Sequence, residues 1–410
     1  MIRIIQTGDI HGCFFPYDLL ERKEATACLA RISSYIREQR KKLGENLVLL
    51  DAGDLLQGQP SCYHSLSIDP KERLLAAEVL DNLGYDAMCI GNHDIETGHE
   101  VFDKLRKETH TTILAANIMR SSDGKPYFQP YKMIERGDVR IAVIGLCTTA
   151  IPYWLNERLW RGLTFEDPVE SASRWIEHIE KKEEPDFIIG LFHTGWQGGI
   201  ETDGACENAA RRIAREVDGF DEICFGHDHI RYTGFEMNSS GNYLGCMNAS
   251  SNAMFFNEID LHPRKAKKNK PHGKYRIRVA STRIKKAADF PVDTEFMSAF
   301  QNKIDRAKKF FNTIIGKTAV RLSTRECSTG DCPLAALIHG IQMEVSGAQI
   351  SLAAPLAYDI TLDGDIRTGN IFNLYKYEST IYAMRMTGKE IRNYLEYSYD
   401  LWINTLLIIT

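Results

Sequence analysis

The sequence predicts a layered α/β fold followed by a smaller unit, and three observations carry that reading. Short apolar runs of buried-strand type alternate with amphipathic stretches over the first two thirds of the chain. Polar residues with metal-ligand chemistry fall directly after five of those runs. The length, 410 residues, exceeds what one ordinary core covers, so two domains are expected.

The runs Ile2–Thr7, Leu47–Leu50, Ala87–Ile90, Ile113–Ala116, Arg140–Leu146, Phe187–Phe192 and Glu222–Phe225 read as buried strands, because each is nearly continuous in apolar residues. Ala25–Lys42, Lys71–Leu83 and Val169–Lys182 carry apolar positions at helical spacing. Pro263–His272 is basic and polar and reads as a solvated hairpin tip. Thr294–Thr313 is helical, rich in Lys and Phe, and reads as a connector. The expected division is 1–290, a connecting helix at 291–314, and a second unit at 315–410.

Composition narrows the function classes. The chain is 43% hydrophobic and 26% charged, with a formal net charge of -5. No basic excess points to a nucleic-acid polymer or an anionic membrane, and no apolar run reaches the roughly 18 residues of a membrane span. A small anionic substrate stays open. The ten cysteines are scattered without CxxC spacing and are expected as reduced, mostly buried thiols. Cys327 and Cys332 are a pair that could bridge if the protein is exported. Met1 runs straight into the first strand with no leader pattern, so the chain as written is expected in the cytoplasm. A monomer is the working expectation.

The chemistry lies in five short motifs: Asp9-Ile-His11; Gly53-Asp54 with Gly58; Gly91-Asn92-His93-Asp94; His193 at the end of an apolar run; and Gly226-His227-Asp228-His229. Singly, each has an ordinary structural explanation. Together they place Asp, Asn and His at five strand ends, where α/β sheets bind ligands. Imidazole with carboxylate suits Zn, Mn, Fe or Ni better than Ca or Mg. Two such ions at roughly 3.5–4 Å need a bridging group. Asp54, with two carboxylate oxygens, is assigned that role. With Asp9 and Asp54 ionised and a hydroxide bound, two divalent ions leave a surplus of about one positive charge, which favours a phosphate and acidifies a bound water.

These motifs resemble the calcineurin-like metallophosphoesterase superfamily, and the two-unit layout resembles its 5'-nucleotidase and 2',3'-cyclic-nucleotide 2'-phosphodiesterase/3'-nucleotidase branch. The resemblance implies an α/β-β-α catalytic domain with two divalent metal ions and a smaller α+β C-terminal domain. It places Asp9, His11, Asp54 and His229 around one ion, and Asp54, Asn92, His193 and His227 around the other. It makes His93 the histidine that contacts the phosphoryl group. The family orients that histidine with an Asp three residues on; here that position is Glu96, and Asp94 is adjacent, so either carboxylate is a candidate. The implied substrate is a nucleotide or other small phosphate ester. A UDP-sugar-type pyrophosphatase or other phosphodiesterase remains an alternative, and relatives of this kind are usually exported.

In residues 315–410 the segment Ser351-Leu-Ala-Ala-Pro355 resembles the cyclic-phosphodiesterase/3'-nucleotidase subgroup, which makes Ser351 a substrate-side candidate. Tyr377 matches the family position that stacks on a base. After Trp402 the sequence ends in Leu-Leu-Ile-Ile-Thr, earlier than the family domain does. The expectation is therefore a truncated second unit, and the alternative is a catalytically weakened metal- and nucleotide-binding protein.

Overall fold

In the computed structural model the chain divides into two units, Met1–Asn312 and Thr313–Thr410. The structure describes residues 1–19, 23–68, 70–265, 273–325, 327, 330–353, 359–375 and 381–409.

The first unit is built on two six-stranded sheets. One runs Tyr275–Lys286, Phe255–Lys265, Ile2–Thr7, Leu47–Asp51, Ala87–Cys89, Thr112–Leu114; its last four strands are mutually parallel, and Phe255–Lys265 is antiparallel to its neighbours. The other runs Arg231–Met237, Tyr243–Ala249, Glu222–Phe225, Phe187–His193, Val139–Cys147, Tyr131–Arg136, with four parallel strands inside and an antiparallel strand at each edge.

Burial on both faces explains the unbroken apolar runs. Ile4, Leu50, Val143, Ile189, Cys224 and Met247 belong to the core between the sheets. A second core lies under Leu29–Leu43, Leu75–Leu83 and His99–Glu108, and a third under Pro168–Glu183 and Ala210–Glu216. The architecture is thus helix, sheet, sheet, helix.

Two helices show how the sequence sets its own boundaries. Pro168–Glu183 starts where Asp167 accepts the backbone N–H groups of Val169 and Glu170, has Pro in its first turn, and ends with Lys181 and Lys182 against its negative pole. Thr294–Phe311 is capped by Asp293 in the same way. The expected connector is part of the first unit: Phe296, Phe300 and Ile304, four residues apart, are buried in its core. A Phe stripe at that spacing needs a partner surface, and a free connector has none.

Within the two six-stranded sheets, five strands escaped the sequence reading: Tyr131–Arg136, Arg231–Met237, Tyr243–Ala249, Phe255–Lys265 and Tyr275–Lys286. The last two run antiparallel on either side of the basic segment, most of which lies outside the described residues. The second unit pairs Ile314–Ser323 with Thr361–Arg367 and adds helices Pro333–Ser346, Thr368–Leu374 and Gly388–Ile409. Cys327 is disulfide-bonded to Cys332, and the other eight cysteines are free. No helix among the described residues is long and apolar enough to cross a membrane.

Candidate metal centre

The parallel strands of both sheets end at one crevice, and each motif stands at such an end. Asp9 and His11 follow Ile2–Thr7, Asp54 follows Leu47–Asp51, and Asn92 opens the short helix after Ala87–Cys89. His193 closes its strand, and His227 and His229 follow Glu222–Phe225. Backbone bonds tie the loops: Asp9 N–H donates to the Gly53 carbonyl at 2.8 Å and His11 N–H to the Asp54 carbonyl at 2.9 Å. Across the sheets, the His227 N–H meets the two Asp9 oxygens at 3.2 and 3.0 Å.

Local backbone strain marks the same residues. Asp9, His11, Asp54, His227 and His229 all have positive φ, between 48° and 87°. Such conformations are costly for residues with a Cβ and persist where the surroundings over-determine them. Two glycines make room for the carboxylates. A Cβ at Gly91 would meet Asp54 Oδ1 at 2.1 Å, and one at Gly226 would meet Asp9 Oδ2 at 2.5 Å.

The donor atoms form two overlapping groups. Asp9, His11 and His229 bring ligand atoms within 4.8 Å of one another, as do Asp9, Asp54 and His193. In the first, His11 Nε2 and His229 Nε2 are 3.0 Å apart, and His229 Nε2 is 3.5 Å from Asp9 Oδ1. Beside the second, Asn92 Oδ1 lies 3.1 Å from His193 Nε2 and 2.8 Å from His227 Nδ1. Asp9 is common to both groups, and Asp54 Oδ2, a member of the second at 3.1 Å from His193 Nε2, reaches to 4.0 Å from His11 Nε2 of the first. Its Oδ1 accepts the His93 N–H at 2.9 Å. One oxygen of Asp54, rather than two, therefore faces both groups.

The residues fit a pair of divalent cations, because the ring nitrogens turned away from the crevice are already spoken for. His11 Nδ1 donates to the Gln57 carbonyl at 3.0 Å and His193 Nδ1 to the Ala52 carbonyl at 2.7 Å. His227 Nε2 faces Glu207 Oε1 at 3.4 Å. Each partner fixes a tautomer that leaves the inward nitrogen with a free lone pair, the usual arrangement of metal-binding histidines. Asp9 and Asp54 are almost fully buried, and buried carboxylates need cationic partners. Burial raises the pKa of Asp54, but His193 outweighs it and holds the carboxyl well below its usual range. Burial likewise opposes charge on His193, and Asp54 overrides it, pushing the imidazole up to about 10. With Nδ1 donating to Ala52, the second proton sits on Nε2 beside Asp54, where a bound cation would displace it and leave the lone pair for binding.

His93 stands outside both groups. Its ring lies 5.5 Å from that of His11, and its Nδ1 donates to Glu96 Oε2 at 2.6 Å. Burial disfavours its cation, but Glu96 and Asp54 together raise its pKa. Asp94 does not orient the imidazole. Its carboxylate is buried and accepts the backbone N–H groups of Asp54, Leu55, Leu56 and Gly91, each at 2.9 Å. Its place is under the Asp54 loop. Sequence adjacency misleads here because neighbouring residues on one helical turn point about 100° apart.

Two residues near the centre were not picked out in the sequence. Glu207 lies in the loop before helix Ala210–Glu216, and its other oxygen accepts the Ile200 N–H at 2.7 Å. Trp154 places its ring 5.6 Å from that of His227. Neither belongs to a motif, and only the tertiary fold brings them in. In the second unit, Ser351 exchanges hydrogen bonds with His339 Nδ1 at 2.8 Å and Gln342 Oε1 at 2.5 Å, while Tyr377 lies outside the described residues.

Residues 2–231 match the family model for calcineurin-like phosphoesterases, and residues 314–402 that for the 5'-nucleotidase C-terminal domain. The trifunctional nucleotide phosphoesterase protein YfkN of Bacillus subtilis is 26% identical over 97% of this chain and 30% of its own length. The 2',3'-cyclic-nucleotide 2'-phosphodiesterase/3'-nucleotidase of Haemophilus influenzae is 24% identical over 97% of this chain and 67% of its own. The chain thus spans less than a third of the Bacillus protein. A crystal structure of the calcineurin-like phosphoesterase YfkN from Bacillus subtilis superposes with a TM-score of 0.64 at 27% identity, covering 75% of this chain and 98% of that one. A putative 5'-nucleotidase from Staphylococcus aureus reaches 0.74 at 18% identity, over 92% of this chain and 72% of its own, a likeness of fold.

Proposed function

The chain belongs to the calcineurin-like phosphoesterase family, and from that premise we propose that it hydrolyses phosphate esters of nucleotides at a centre formed by Asp9, His11, Asp54, Asn92, His193, His227 and His229. The observation that carries the reading is the pair of donor groups that share Asp9, with Asp54 Oδ2 reaching from the second toward His11 of the first and the outward ring nitrogens of His11, His193 and His227 held by Gln57, Ala52 and Glu207.

Two divalent cations, when bound, supply positive charge against the phosphoryl oxygens and make water a nucleophile near neutral pH. The protein's own contributions are positional. Asp9 and Asp54 offset the cations' charge in a buried setting. Glu96 accepts Nδ1–H of His93 and favours its cation, and the imidazolium is the form that can donate Nε2–H to a phosphoryl or leaving oxygen. Asp94 holds the loop that carries Asp54, and the glycines at 91 and 226 keep the approach to both carboxylates open. Substrate choice beyond the phosphate is proposed to involve the second unit, where Ser351 and Tyr377 are the candidates. On the strength of the Ser351–Pro355 segment, 2',3'-cyclic or 3'-nucleotides are proposed over 5'-nucleotides.

A matrix of Mn, Zn, Ni and Fe(II) against 5'-AMP, 3'-AMP, 2',3'-cAMP, UDP-glucose and bis-p-nitrophenyl phosphate tests the reading. Metal-dependent release of phosphate or nucleoside supports it. Absence of turnover with every metal rejects it, and a preference for UDP-glucose moves it to the pyrophosphatase alternative.

A further inference from the structure

We propose that Trp154 is a stacking platform for the leaving group, so that a flat aromatic or heteroaromatic ring of the ester is gripped within the first unit itself. The proposal rests on the phosphoesterase reading and names the class of alcohol that its substrates release.

Strand Val139–Cys147 runs parallel beside Phe187–His193 with Cys147 opposite His193, so it opens onto the same crevice as the donors. The next residue, Thr148, donates its N–H to the His193 carbonyl at 2.8 Å, and the short helix Ile151–Trp154 follows. The Trp154 ring packs at 31° to the ring of His227, which in turn lies 5.3 Å from that of His193. Trp154 is nevertheless 40% exposed. An indole left this open beside a buried polar centre offers apolar surface that the core does not use.

The segment is fastened at both ends. The hydroxyl of Tyr153 bonds Thr202 Oγ1 at 2.6 Å, and helix Glu157–Trp160 packs on Asn92–Glu96, the helix that carries His93. Trp154 therefore borders the centre at His227, and the helix that follows it in the chain packs on the helix of His93. A ring carried by an ester bound at His227 has this indole beside it. Stacking on an aromatic face tolerates any base, because every base presents a π-face. The class it selects is esters of nucleosides and aryl alcohols over those of aliphatic alcohols.

The test compares kcat/KM for p-nitrophenyl phosphate with that for glycerol 2-phosphate. In Trp154→Ala the aryl-to-alkyl ratio falls roughly tenfold, through KM more than kcat, and Trp154→Phe restores most of it. Adenosine, which carries no phosphate, quenches the tryptophan fluorescence of the wild type and not that of Trp154→Phe. That second readout needs no turnover, so it decides the platform even if no ester is hydrolysed. An unchanged ratio overturns the proposal. So does an equal loss on both substrates with reduced bound metal, which makes Trp154 a cover for His227 and nothing more.

Discussion

The two units differ in how much of their apolar surface they bury. The first packs three hydrophobic cores around two sheets and fixes its polar centre with backbone bonds and left-handed residues. Among the described residues, the second has one small buried cluster, formed by Leu334, Ile338, Ile360, Leu362 and Leu374. Val345, Tyr382 and Met384 are each about 70% exposed or more. A strained, charge-rich site needs a surrounding structure stiff enough to over-determine it. Chemistry that tolerates no displacement therefore falls to the first unit.

The largest expected effect would break this comparison most directly. His193→Ala is expected to abolish turnover and lower bound metal, since it removes a donor whose tautomer is fixed by Ala52. Ser351→Ala in the second unit is expected to change nucleotide KM only severalfold. Steady-state kinetics on both variants check the contrast, and losses of similar size would show that the division of labour is wrong.

Next in size is His93→Ala, with kcat down about 10²–10⁴-fold and metal content near wild type. Glu96→Gln should be milder, because an amide oxygen can still accept from Nδ1. Asp94→Asn should instead lower the melting temperature, as its four backbone donors lose an ionised acceptor. If Glu96→Gln leaves kcat untouched while Asp94→Asn alone slows it at full stability, the geometric assignment of Glu96 fails.

Glu207→Ala is expected to weaken one of two bound ions by about 10–100-fold, leaving the other in place, because the residue contacts His227 alone among the seven donors. Metal titration by calorimetry reads this, and equal weakening of both ions would argue for a general loosening.

The last effect falls on stability alone and sharpens the picture of the first unit without touching its centre. Glu222 is buried between the sheets, its Oε1 lacks a partner among the described residues, and burial pushes its carboxyl up to about 8 from an ordinary 4.5. Below about pH 4.5 the group is neutral whether the chain is folded or unfolded. As pH rises to about 8 the unfolded chain ionises while the fold resists, so stability drains over that window and the penalty is complete above it. Glu222→Gln cannot ionise, and its advantage over wild type should grow by about 2–5 kcal/mol across the same window. Denaturant melts from pH 4 to 9 measure it; parallel curves would mean that Glu222 finds a partner or water.

Seven of the eight parallel strands were legible in the sequence because strands buried on both faces are nearly unbroken in apolar residues, as Phe187–Phe192 is; the eighth, Tyr243–Ala249, carries Asn248 and an exposed Tyr243 and was missed. Strand Arg231–Met237 was not legible, since it alternates exposed and half-buried residues at a sheet edge and reads like a loop. That the seven candidate donors gather in one place was legible because each closes or directly follows its strand. The partners that hold them were not. Glu207, Gln57 and the Ala52 carbonyl reach their histidines through tertiary contact, which no local pattern encodes. The roles of Asp94 and Glu96 turned on helix geometry, where three residues along is closer than one.

The central claim is that Asp54 Oδ2 joins two ion sites in the first unit. Wild type and Asp54→Asn can be incubated with Mn, desalted, and divided between elemental analysis and an assay on p-nitrophenyl phosphate. The account predicts about two ions per chain and turnover in the wild type, with both lost or sharply reduced in the variant. Two retained ions and full turnover in Asp54→Asn would contradict it.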